Sequence, residues 1–201
     1  LETLARVVDT TQPEAWSEHR AFVRAGGVEI GHLAAPPRTA ATVEGAARNF
    51  ARATARVGAR PLVENVASLI DPPGSDLDEG AWLGAILEAT GCDLLLDLHN
   101  LHANATNFGF DARAVIERLP VERIGAIHLA GGKRVSGRVL DDHHHAVPPA
   151  VFGLLTLVAR RARRPLTVIL ERDGAYPPMT DLLAELDAAR AALASGRSAP
   201  L

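Results

Sequence analysis

The chain has 201 residues, 47% of them hydrophobic, which fits one domain with a sizeable core. A formal net charge of −3 leaves no basic footprint for nucleic acid, and a single cysteine, Cys92, excludes an internal disulfide. No signal peptide and no apolar run long enough to span a membrane is visible, so the expected setting is reducing and cytoplasmic.

Residues 1–8 read as an amphipathic helix that the chain enters without a start methionine, so further residues are expected upstream. The polar stretch before Pro13 stops it, and residues 15–19 form a short strand candidate. Gly26-Gly27, between Phe22-Val23 and Val28, signals a hairpin. Pro36-Pro37 forces extended chain, Thr39 or Thr42 caps a helix to about Val57, and Gly58 ends it. A strand over 61–66 follows, and Asp76 or Asp78 caps a helix to about Thr90. Leu94-Leu95-Leu96 is an apolar run without alternation, the mark of a strand covered on both faces. The spacing then predicts a loop over 104–109, a helix over 111–118 and a strand over 124–129. Residues 133–138 read as a glycine-flanked basic loop, and Val139-Leu140 as a very short strand ending in Asp141-Asp142-His143. Pro148-Pro149 opens a helix to about Arg163, residues 165–171 form the last strand, and a helix over 180–193 precedes a frayed tail at 195–201.

Strand and helix thus alternate about six times, which implies a parallel sheet with helices outside it. No glycine-rich phosphate loop follows the first strand, so a dinucleotide fold is poorly supported. A single α/β domain over 1–201, a TIM-type (β/α) barrel with about six of its eight strands, fits better, because acids and histidines end many strands rather than one.

Those strand ends carry the chemistry. Glu64, Asp97 and Glu171 each follow an apolar strand, where a carboxylate is costly unless it is paired or metal-bound. The structural alternative is a salt bridge to a nearby arginine. His128 closes the strand before Ala130-Gly131-Gly132 and is read as a ligand rather than a core histidine. Asp141 and His143, two apart on extended chain, suit chelation, against the plain reading of a solvated loop. His19 ends another strand and is a further candidate, whereas His32 is assigned to the rim and His144 and His145 are left out. Imidazole and carboxylate without thiolate suit iron, manganese or zinc, and this many donors points to two or three ions.

The segments SEHRAFVRAGGVEIGHLAAPPRT, LVENVASL, LLLDLHNLHANATNFGFD, IGAIHLAGG, LDDHHHAV and VILERDGAYPP, in this order, resemble the multinuclear non-haem iron oxidative enzymes (MNIO). This former domain-of-unknown-function family includes the oxidase of methanobactin biosynthesis. The resemblance covers nearly the whole chain. It implies a barrel similar to that of xylose isomerase, two or three irons, and dioxygen used to remodel side chains, often cysteine, of a ribosomally made peptide (RiPP). It implies a partner protein that presents the peptide. It also implies the metal ligands His19, Glu64, Asp97, His128, Asp141, His143 and Glu171, with Asn100 as ligand or support and Asp97, His128 and Glu171 at the catalytic centre. Asn100 or Asp173 would tune the metals from behind. Two further strands, one with another histidine ligand, are expected upstream, and Arg20 stands where an apolar residue is common. Two other readings compete: a divalent-metal isomerase or phosphodiesterase on the same barrel, and a degenerate barrel that only binds.

Overall fold

The structure, a computed structural model, describes residues 1–198. Five parallel strands form the main sheet: β1 (Ser17–His19), β4 (Leu62–Glu64), β5 (Leu94–Asp97), β6 (Ile124–Leu129) and β9 (Val168–Leu170), side by side in that order. Each new strand is laid beside the last, and the order never reverses, so the sheet has no switch point and follows the arc of a barrel. The count is five rather than six. Val139-Leu140 belongs to a separate antiparallel hairpin, β7 (Gly132–Val135) with β8 (Arg138–Asp141), and not to the parallel sheet. The residues expected to be a basic loop are therefore that hairpin's strands and turn. A second hairpin, β2 (Phe22–Ala25) with β3 (Val28–Ala34), rises after β1, where Gly26-Gly27 places it.

Helices cover the outer side of the sheet. α1 (Glu2–Thr11) precedes β1; α2 (Ala40–Val57) and α3 (Glu79–Thr90) link β1 to β4 and β4 to β5. α4 (Leu98–Phe108) and α5 (Ala112–Arg118), then a short 3-10 turn, lead to β6; α6 (Pro149–Arg161) leads to β9, and α7 (Met179–Ser198) packs on α6. Thr39, Asp78 and Asp111 accept backbone N–H groups at the starts of α2, α3 and α5, satisfying donors that each helix start leaves free.

Two elements differ from expectation. The stretch read as a loop at 104–109 is mostly α4, which starts directly at Asp97 with no connecting residue. The Asp97 carboxylate is the N-cap, accepting the Asn100 N–H at 2.7 Å, and Leu98, Leu101 and Ala105 at helical spacing turn to the core. α7 runs through Gly196 to Ser198 instead of fraying at 195. A Cβ at Gly196 would lie 2.3 Å from the Thr156 carbonyl, so this glycine lets α7 approach α6 closely. The rest of the expected tail, 199–201, lies outside the described residues. Among the described residues no helix is long and apolar enough to cross a membrane.

Alternation along the strands sorts the side chains. Val63, Leu94, Leu96, Ile127 and Leu129 point outward and are buried against Trp82, Leu83, Ile86, Ile116, Leu155 and Val158 of the helices. The register pairs His19 with Glu64, Glu64 with Leu95, and Asp97 with His128. These residues, and Glu171 two beyond Ile169, therefore share the inner face. The core and the ionisable strand-end residues thus occupy opposite faces of one sheet.

Candidate metal centre

At the carboxyl ends of the strands the inner face opens into a cavity of about 250 Å3. His19, Asn100, Asp141, His143 and Glu171 line it, with Leu33, Leu69, Val139 and Leu140 as apolar wall and His32 at its rim. Glu64, Asp97, His128 and Glu171 bring four donor atoms within 4.8 Å of one another, and His143, Glu171 and Asp173 form an overlapping group. Glu171 belongs to both. Its Oε2 is 3.0 Å from His128 Nδ1 and its Oε1 is 3.5 Å from His143 Nδ1. Glu64 Oε1 lies 3.3 Å from His128 Nδ1, and His143 Nε2 is 2.9 Å from Asp141 Oδ2. His19, at the exposed end of the edge strand, stands 3.7 Å from Glu64.

These approaches are close but poorly aligned. Among the described residues Asp97 Oδ2, Asn100 Oδ1, His128 Nδ1, His143 Nε2 and Glu171 Oε2 are buried without a hydrogen-bond partner. Buried polar atoms are ordinarily satisfied, so five such atoms clustered at the strand ends, with His128 Nδ1 and Glu171 Oε2 3.0 Å apart but not aligned to bond, leave room for a shared partner. This donor set fits metal ions.

The electrostatics agree. Burial pushes the Asp97 carboxyl from 3.8 up to about 7, against the pull of the Asn100 amide. Burial would discharge His128, but the Glu171 and Glu64 carboxylates beside it prevail and hold its pKa up at about 10. His143 is likewise raised to about 11, burial being outweighed by Asp141 and Glu171. His128 and His143 in turn hold Glu171 well below the usual carboxylate range. Without metal, two imidazolium rings thus offset part of the carboxylate charge. No arginine or lysine pairs with Glu64, Asp97 or Glu171 among the described residues, so the salt-bridge alternative finds no support.

A ring of polar residues fixes these donors. Asn65, whose role the sequence left unassigned, holds the end of the neighbouring strand: its Oδ1 accepts the Asp97 N–H and its Nδ2 donates to the Asp97 carbonyl, both at 2.8 Å. Asn100, Asn104 and Asn107 lie on one face of α4 and tie the helix to the Asn65 carbonyl, the Val66 carbonyl and Val139. His99, fully buried, sits behind Asp141 with Nδ1 2.6 Å from Oδ1 and leaves Oδ2 to face His143. Ser17 donates to Glu64 Oε2 at 3.2 Å. Arg20, buried over the Trp82 ring, donates to the Glu64 carbonyl and so fixes the end of β4. Asp173 faces the other side of His143, Oδ2 to Nδ1 at 3.1 Å. His143 itself holds a left-handed backbone (φ 53°), a conformation that costs a non-glycine residue roughly 1 kcal/mol or more and collects at functional sites. His144 and His145 are exposed, and His145 meets only Asp142.

Residues 1–194 match the family model described as RiPP precursor modification enzyme MbnB/TglH/ChrH. Similar curated proteins are a UPF0276 protein of Streptomyces avermitilis, 39% identical over 96% of this chain and 41% of its own length, and one of Chromobacterium violaceum, 36% identical over 96% and 70%. A third, from Caulobacter vibrioides, is 34% identical over 100% of this chain and 71% of its own. The chain therefore spans less than half of the first relative and about 70% of the other two. Among solved structures, a xylose isomerase domain containing protein from Salmonella typhimurium superposes with a TM-score of 0.58 over 96% of this chain and 68% of that one. At 14% identity this shows a shared fold, a xylose isomerase-like TIM barrel.

Proposed function

Because the chain belongs to the MbnB/TglH/ChrH family of RiPP precursor modification enzymes, we propose that it is a multinuclear non-haem iron oxidase that uses dioxygen to modify side chains, cysteine foremost, of a ribosomally made peptide. The observation that supports this most is the pair of donor groups sharing Glu171. In this reading Glu64, Asp97, His128 and Glu171 hold one ion, while His143, Glu171 and Asp173 with the adjoining Asp141 hold a second. His19, at the cavity margin, is the donor left for a third, and Asn100 offers its buried Oδ1 alongside Asp97. Carboxylate and imidazole without thiolate suit iron and disfavour iron–sulfur chemistry. Iron held there would supply the dioxygen activation that no side chain can.

The chain's own residues have three tasks in this reaction. Asn65 and His99 fix Asp97 and Asp141, so that the donors keep their places as the substrate enters. The apolar wall of Leu33, Leu69, Val139 and Leu140 takes the stem of the substrate side chain and excludes water from the reacting atoms. His128 and His143, charged in the metal-free state, would give up their protons on becoming ligands, and Asp97, His128 and Glu171 would border the reacting centre. A partner protein that presents the peptide, and a cytoplasmic setting, complete the reading.

The test is metal analysis and optical spectroscopy of protein purified without air. More than one iron per chain, reduced by Glu171→Gln, is the expected result. Zinc, magnesium or manganese instead would overturn it in favour of isomerase or phosphodiesterase chemistry on the same barrel, and no metal at all in favour of a binding module.

A further inference from the structure

The hairpin β7–β8 carries charge that the metal site does not use. Lys133 meets Asp142 at 3.5 Å. Arg134 and Arg138 are exposed, and among the described residues neither pairs with a carboxylate. Ser136 and Gly137, at φ 50° and 81°, make the two-residue turn that matches strand twist, so these arginines sit on a regular hairpin rather than a loose loop. Arg134 lies on one face of the hairpin, and Arg138 lies on the other with Lys133.

The two edges of this hairpin differ. Along β8, Asn107 behaves as a short strand: its Oδ1 accepts the Val139 N–H at 2.7 Å and its Nδ2 donates to the Val139 carbonyl at 2.9 Å. Val139 therefore points its backbone groups outward, and in an antiparallel ladder the residue opposite does the same. That residue is Arg134. Its N–H and C=O project from the open edge of β7, which among the described residues pairs with no strand but β8. At its base the same hairpin enters the cavity, through Leu140 and Asp141. At about 3.4 Å per residue, Arg138 stands roughly 10 Å, three residues of extended chain, from Asp141.

We propose that β7–β8 is a docking arm for an acidic, extended segment of the peptide substrate. The segment adds as a strand to the edge of β7, and its carboxylates meet Arg134 on one face and, reaching across Val135, Arg138 of β8 on the other. Acidic residues would then stand about three positions from the side chain in the cavity. The inference rests on the peptide-modifying reading above.

The test is fluorescence anisotropy, without turnover, on the purified protein. The probes are short labelled peptides with one cysteine and two acidic residues three positions away, their Gln and Lys counterparts, and a single-stranded oligonucleotide of equal charge. The Glu peptide is expected to bind tightest, and Arg134→Glu with Arg138→Glu is expected to transfer the preference to the Lys peptide. Arg134→Ala and Arg134→Pro remove the same charge, but only proline removes the outward N–H. The proline variant should therefore bind about two- to tenfold more weakly than the alanine variant, the worth of one hydrogen bond. Equal binding of Glu and Gln peptides, tighter binding of the oligonucleotide, or identical Ala and Pro variants would overturn the proposal. Metal content is measured on the same samples. A protein without metal that keeps its Glu preference would sink the iron reading and spare the arm, and a metal-replete protein blind to charge would do the reverse.

Discussion

Asp97→Asn separates what Asp97 does for a metal from what it does for the fold. Asp97 is fully buried; its Oδ1 caps α4 through the Asn100 N–H, and its Oδ2 has no partner. Asparagine keeps the cap acceptor and the volume and removes the charge. In metal-free protein, burial raises this carboxyl from 3.8 to about 7, so the folded state holds its proton more tightly than the unfolded chain does. The resulting stability is fully present below about pH 3.8 and is lost as pH rises through the folded value near 7. A displacement of this size corresponds to ~4 kcal/mol, of which ~2.5 kcal/mol falls between about pH 5 and pH 8. Asparagine does not titrate, so the stripped variant should escape that loss and be the more stable of the two at about pH 8. With metal bound the order should reverse, because the wild type gains binding free energy that the variant forgoes. Urea unfolding of both stripped proteins at the two pH values, with metal content measured before stripping, decides the matter. A stripped variant less stable than wild type at about pH 8, or one that keeps its full metal content, would refute the reasoning.

Ferrous ion added to stripped protein near neutral pH should displace protons from His128 and His143, held at about 10 and about 11. A pH indicator in weak buffer reads this directly, and affinity should fall as pH falls; no proton release would mean that neither ring ligates. Gly132→Ala would place a Cβ 2.2 Å from the Leu140 carbonyl and 2.7 Å from His99 Cε1, so it should destabilise by about 1–3 kcal/mol and loosen His99 from Asp141. A thermal melt and metal titration indistinguishable from wild type would contradict this. Among the described residues β1 and β9 are the open edges of the parallel sheet, and Ile169 on β9 is 44% exposed, so this chain by itself should self-associate as its concentration rises. Sedimentation showing a monomer throughout, with high thermal stability, would count against it.

The strands of the sheet were legible because a buried parallel strand is an apolar run, and the first polar residue after it must stand at the functional end. That logic finds Glu64, Asp97, His128 and Glu171 without knowledge of their neighbours. It fails for α4, where three asparagines lower helix propensity and Asp97 serves as both last strand residue and N-cap, so no loop marks the boundary. Had the helix been read from Leu98, Leu101 and Ala105, the stripe of Asn100, Asn104 and Asn107 would have followed from its spacing. The hairpin β7–β8 was hidden differently: its strands are short, mostly exposed and basic, and Ser136-Gly137 is not among the strongest turn dipeptides. His99 follows Asp97 by two residues, but nothing local reveals that it turns to Asp141, 42 residues on.

The sorting of the two sheet faces also bears on how the chain finds its pairing. A slip of one residue in β5 against β6 would swing Asp97 into the helix-packed layer and turn Leu96 toward water, exchanging an ionisable group for a core leucine. An unpaired carboxylate in that layer is far costlier than a misplaced methyl group, so the misregistered pairing is disfavoured against the native one. The groups that make the native state electrostatically tense are thus the same groups that make its competitors worse, and the ionisable residues at the strand ends also keep the strands in step.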